Sequence, residues 1–64
     1  MLKQEYFYYF EEGGWNSEYA TSVKQARKQA QERWAHLDIT PRLDSFKPFK
    51  GNEEEYKSLM NLFH

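Results

Sequence analysis

Cysteine is absent from these 64 residues. That excludes a disulfide framework and a thiolate zinc site, the usual staples of a small secreted domain, so a reducing cytoplasm is the expected compartment. Only two histidines occur, His36 and the terminal His64. Asp38 lies two residues from His36 near an expected helix end, a spacing that imposes no shared coordination, and no further ligand cluster is nearby. No metal and no cofactor are expected. The three glycines form no phosphate-cradling loop. No apolar run approaches the roughly 20 residues that span a bilayer, and the opening "MLKQEY" carries no apolar leader segment. A soluble, untargeted protein without a membrane partner is expected. The net charge is -1, which gives the whole molecule no attraction for nucleic acid or anionic lipid.

Aromatic residues, by contrast, are in excess at 19%. One domain spanning residues 1–64 rarely draws more than about 3–5 kcal/mol of net stability from its core, and bulky rings substitute for chain length. Five aromatics run unbroken from Tyr6 to Phe10. A strand that buries one face and wets the other alternates, so the run raises the question of what covers its second face.

The pair Gly13-Gly14 reads as a two-residue hairpin loop between strands at 3–12 and 15–20. Such a loop pairs Glu12 with Trp15, Phe10 with Ser17, Tyr8 with Tyr19 and Phe7 with Ala20. Tyr6, Tyr8 and Phe10 then share a core face with Trp15 and Tyr19. Phe7 and Tyr9 stand on the other face, among Glu5, Glu11, Asn16 and Glu18.

Ser22 and Gln25 match a capping box, and Val23, Ala26, Ala30, Trp34 and Leu37 fall on one helical stripe. This helix is expected to end by Asp38, ahead of Pro41. A third strand is expected at 42–48, at an edge or ending at Pro48, which donates no ladder hydrogen bond. Gly51-Asn52 supplies a turn and an N-cap, Glu53, Glu54 and Glu55 suit the first turn of a helix, and Tyr56, Leu59, Met60 and Phe63 form its apolar stripe. The expected fold class is α+β, in the order β-β-α-β-α, an antiparallel sheet with both helices packed on one face.

Catalysis is not expected. Glu11 and Glu12 point to opposite faces of a strand, and neighbouring acids among Glu53, Glu54 and Glu55 diverge by about 100°, so neither group converges on one substrate atom. A small-molecule substrate also needs a pocket that so small a core hardly encloses. Charge is unevenly spread: residues 3–19 carry a net -3 and residues 22–37 a net +3. Nucleic acid across Phe7 and Tyr9 would meet three glutamates. The better nucleic-acid candidate is the helix ridge of Lys24, Arg27 and Lys28.

The favoured expectation is a non-enzymatic protein-interaction or adaptor module. Phe7 and Tyr9 would be its aromatic anchors in a polar rim that includes Glu11 and Glu18. Its partner would be another protein or a second copy of the chain, as a homodimer. An accessory protein of a bacterium or phage fits this size. The competing structural expectation is that residues 38–49 fold across that face, with Phe46 or Phe49 covering Phe7.

Overall fold

The run Tyr6–Phe10 becomes the middle of the molecule, with a layer on each side. The computed structural model describes residues 2–62 and contains β1 (Gln4–Tyr9), β2 (Trp15–Ala20), α1 (Val23–Arg33), a 3-10 turn (Leu43–Ser45), β3 (Lys47–Pro48) and α2 (Glu53–Leu62). The sheet is antiparallel, in the order β2-β1-β3. The expected α+β class and β-β-α-β-α order are present.

The hairpin register differs from the expected one. Phe10 N–H donates to the Gly14 carbonyl and Gly13 N–H to the Phe10 carbonyl, both at 3.1 Å. This is the bonding of a three-residue loop, Glu11-Glu12-Gly13, closed by a bulge at Gly13, whose φ of 105° suits glycine. Tyr9 therefore pairs with Trp15, Phe7 with Ser17, Tyr6 with Glu18 and Glu5 with Tyr19. The offset from the two-residue register is odd, so every β2 side chain changes face. Trp15 and Tyr19 leave the Tyr6–Tyr8–Phe10 face, and Glu18 and Ala20 enter it.

Ser22 caps α1, its Oγ accepting from Gln25 N–H at 3.2 Å, while Gln25 Oε1 accepts from Thr21 N–H at 2.7 Å. The α1 stripe of Val23, Ala26, Ala30 and Trp34 packs on Tyr6, Tyr8, Phe10 and Ala20. Its two buried alanines permit close approach to the sheet. The helix stops at Arg33, and Leu37, expected on this stripe, is exposed.

The expected third strand at 42–48 shrinks to the two residues of β3, at the sheet edge and ending at Pro48. The chain still follows β1 from Thr40 to Phe49: Glu11 N–H donates to the Thr40 carbonyl, Arg42 N–H to Tyr9 and Phe49 N–H to Glu5, each at 2.8 Å. Where the 3-10 turn interrupts the ladder, buried Ser45 substitutes its hydroxyl, which accepts from Tyr9 N–H at 3.0 Å. Phe46 stacks on Tyr8 with centroids 4.4 Å apart, on the α1 face.

The two helices do not share a face. The ring of Tyr56, on α2, meets Phe7 at 5.5 Å and Phe49 at 4.7 Å, and its hydroxyl donates to Glu5 at 2.8 Å. Phe7 and Glu5 point away from Tyr8, so α2 lies opposite α1. The physical reason is the aromatic run itself: β1 is apolar on both faces, and one stripe from α1 covers only one of them. Leu59 is buried as expected, Met60 is exposed, and Phe63 lies outside the described residues. The Asn52 side chain donates to the Pro48 carbonyl at 2.9 Å, and Glu53 accepts from Gly51 N–H at 3.1 Å.

Candidate functional site

The expected contact set of Phe7, Tyr9, Glu11 and Glu18 is dispersed. Phe7 is fully buried, at 0% exposure, beneath Tyr56. Residues 38–49 do not fold across this face as expected: the chain from Thr40 to Phe49 runs beside β1, Phe46 stacks on Tyr8 on the α1 face, and Phe7 is covered from α2 by Tyr56, against which Phe49 packs. Tyr9 is half-buried, and its hydroxyl donates to Glu55 at 2.5 Å. That bond and partial burial push the Tyr9 hydroxyl up to about 12. The same bond, with Lys47 Nζ at 3.0 Å, holds Glu55 below the ordinary carboxylate range. Glu11 is exposed on the hairpin loop, its carboxylate 3.5 Å from Arg42 Nε.

Glu18 lies on the opposite face and is buried, at 4% exposure. It accepts from the Tyr8 hydroxyl at 2.9 Å and stands 3.4 Å from Arg33 Nε. Tyr8 in turn accepts from the Trp34 indole N–H at 2.8 Å. Burial is the main cause that raises the Tyr8 hydroxyl; the Trp34 donor opposes it and Glu18 reinforces it. This chain of donors and acceptors ties α1 to β2 and is fully engaged, which suits architecture rather than recognition.

The basic ridge is only partly free. Lys24 and Lys28 are exposed, whereas Arg27 Nε donates to the Leu43 carbonyl at 2.8 Å and fastens α1 to the 3-10 turn. His36 and Asp38 are both exposed, and His64 lies outside the described residues. Among the described residues no group of three or more His, Cys, Asp or Glu side chains stands together, and no helix is long and apolar enough to cross a membrane.

What the altered register gathers instead is an aromatic strip on the α2 side of β2. Trp15, Ser17 and Tyr19 follow one another along that face. Trp15 packs edge-on to Tyr56 with centroids 5.4 Å apart. Tyr19 is 62% exposed, while Trp15, Phe49 and Tyr56 are half-buried. Tyr56 is raised by burial first, then by its bond to Glu5, with further contributions from Glu5 and Tyr19. The sequence concealed this strip by suggesting a two-residue loop; the residues Glu11-Glu12-Gly13, which also fit a turn with a glycine bulge, were the available signal.

β2 is an edge strand, and side chains occupy part of that edge. Odd-numbered β1 residues bond toward residues 42–49 and even-numbered ones toward β2, so Trp15, Ser17 and Tyr19 present their backbone groups outward. Asn16 Oδ1 accepts from Ser17 N–H at 2.7 Å, and Gln29 Nε2 donates to the Tyr19 carbonyl at 2.9 Å. Comparison with known proteins finds no matching family model, no matching curated protein and no matching solved structure.

Proposed function

We propose that this chain is a non-enzymatic binding module that engages another protein through the Trp15, Tyr19 and Tyr56 strip. The observation that carries the reading is Tyr19, a large ring 62% exposed on the same strand face as half-buried Trp15, which packs on half-buried Tyr56. Aromatic anchors partly held by their neighbours lose little conformational entropy on binding and are enriched at interface hot spots. Side chains on Ser17 N–H and the Tyr19 carbonyl oppose strand addition, so recognition runs through side chains. The hydrogen-bonded polar clusters support a non-catalytic role, and the cysteine-free sequence suits action in the cytoplasm. An accessory role in a bacterium or phage fits a domain of this size, and pairing of two copies through the strip is the self-associating version of the same reading.

The test is site-specific photo-crosslinking, with a benzophenone amino acid in place of Tyr19 or of Lys28, in the cell that makes the protein. The reading predicts a discrete protein adduct from position 19 that is lost when Trp15→Ala is added. Adducts from position 28 alone, or adducts with nucleic acid, would favour the Lys24, Arg27 and Lys28 ridge.

A further inference from the structure

Glu5 and Tyr19 face each other across β1 and β2. Even-numbered β1 residues exchange the hydrogen bonds with β2, so this pair belongs to the non-bonded class, in which opposed Cα atoms approach to about 4.5 Å and side chains are closest. The Tyr56 hydroxyl donates to Glu5 Oε2 at 2.8 Å and orients the carboxylate, while Tyr19, its cross-strand partner, is exposed. Among the described residues, the ion pairs within 4.0 Å engage Glu11, Glu18, Asp44 and Glu55, and none engages Glu5. A half-buried carboxylate, oriented by Tyr56 and in no ion pair within 4.0 Å among the described residues, thus shares a cross-strand pair with an exposed tyrosine.

We propose that Glu5 and Tyr19 form the seat for an arginine side chain presented by the partner protein. This assignment rests on the protein-binding reading and names what that surface recognises. A guanidinium is planar: one edge meets a carboxylate in two parallel hydrogen bonds while its face lies on an aromatic ring. Lysine, a compact and strongly hydrated point charge, satisfies the carboxylate but does not stack. The opposed β1 and β2 positions pair carboxylate and tyrosine across the strands, and the Tyr56 hydroxyl limits the freedom the carboxylate loses on binding.

The experiment is a titration of the isotope-labelled full chain with the capped peptide Gly-Arg-Gly and with its citrulline counterpart, followed by amide chemical shifts. The arginine peptide should bind about five- to tenfold more tightly, with shifts centred on Glu5, Tyr19 and Tyr56. In Glu5→Gln, whose amide oxygen retains an acceptor for Tyr56 and so preserves the fold, the preference should vanish. Equal affinities, a preference that survives Glu5→Gln, or shifts centred on Glu11 and Glu12 would overturn the seat. Protein cross-links from position 19 together with equal peptide affinities would overturn the arginine seat alone. Absence of those cross-links would overturn the seat and the protein-binding reading together.

Discussion

Tyr8 and Glu18 meet in the layer between the sheet and α1, the tyrosine hydroxyl donating to the glutamate carboxylate at 2.9 Å. A charged residue in a strand usually marks the solvent side; here Tyr8, together with Arg33, compensates its burial. Glu18→Ala should cost about 2 kcal/mol, because it strips the acceptor from a fully buried hydroxyl. Glu18→Gln should cost less, since an amide oxygen still accepts from Tyr8 while the pairing with Arg33 is lost. Urea unfolding of the three proteins checks the order; equal stability of wild type and Glu18→Ala would contradict it.

Phe7 and Tyr19 should behave oppositely. Phe7→Ala removes a ring with no exposure, at a cost of about 3–5 kcal/mol that equals the whole stability expected of such a core, so the variant should be largely unfolded. Tyr19→Ala should change stability by no more than about 0.5 kcal/mol, as surface substitutions usually do. Circular dichroism with thermal melts reads both. A folded Phe7→Ala protein would show that α2 does not close over β1.

The bulge at Gly13 depends on its φ of 105°. A Cβ added there meets nothing within 4 Å, so the penalty of Gly13→Ala is backbone strain alone, about 1–2 kcal/mol. Gly13→Asn should cost less, because asparagine tolerates left-handed backbone better. Deleting Glu12 should be far worse, since a one-residue slip carries Glu18 out of its network and Trp15 away from Tyr56. Relative midpoints in urea test this order.

Tyr9 and Glu55 give opposite pH limits. The folded Tyr9 hydroxyl is raised above its ordinary 10.0 to about 12, so its contribution is complete below about pH 10 and is lost as pH rises toward 12. Glu55 is lowered, so its contribution is present above the ordinary 4.5 and is lost as pH falls through its folded value. Tyr9→Phe should remove part of the alkaline loss and lessen the acid sensitivity contributed by Glu55. Stability curves of both proteins across pH 3–12 decide it; identical curves would contradict the coupling.

The β2 edge makes a further prediction. The double variant Asn16→Ala, Gln29→Ala uncovers Ser17 N–H and the Tyr19 carbonyl, and unpaired strand edges recruit other strands. Sedimentation should show larger self-association for the variant than for the wild type at equal concentration.

Much of the architecture is legible in the residues. Ser22 and the Val23–Ala26–Ala30–Trp34 stripe mark the start and buried face of α1, Pro48 marks the end of the edge strand, and Glu53–Glu55 mark the first turn of α2. The hairpin register is not legible, because Gly13-Gly14 serves a two-residue loop or, with Glu11 and Glu12, a bulged one, and the choice inverts β2. Nor does the Tyr56–Leu59 stripe say which sheet face α2 covers. It follows from β1, whose run of rings leaves two apolar faces. The expected contact set dissolves for both reasons: the inverted β2 exchanges Glu18 for Tyr19, and α2 buries Phe7 beneath Tyr56 and engages the Tyr9 hydroxyl through Glu55.

Phe7 lies in the core, which leaves the exposed Tyr19 as the ring through which the proposed protein contact runs. The most direct measurement is the affinity of a partner captured at position 19 for the wild type, for Tyr19→Ala and for Lys24→Glu, Lys28→Glu, all shown to be folded. A loss of at least about tenfold is expected for Tyr19→Ala, as for an aromatic hot spot, with little change for the ridge variant. Unchanged affinity for Tyr19→Ala with loss in the ridge variant would contradict it.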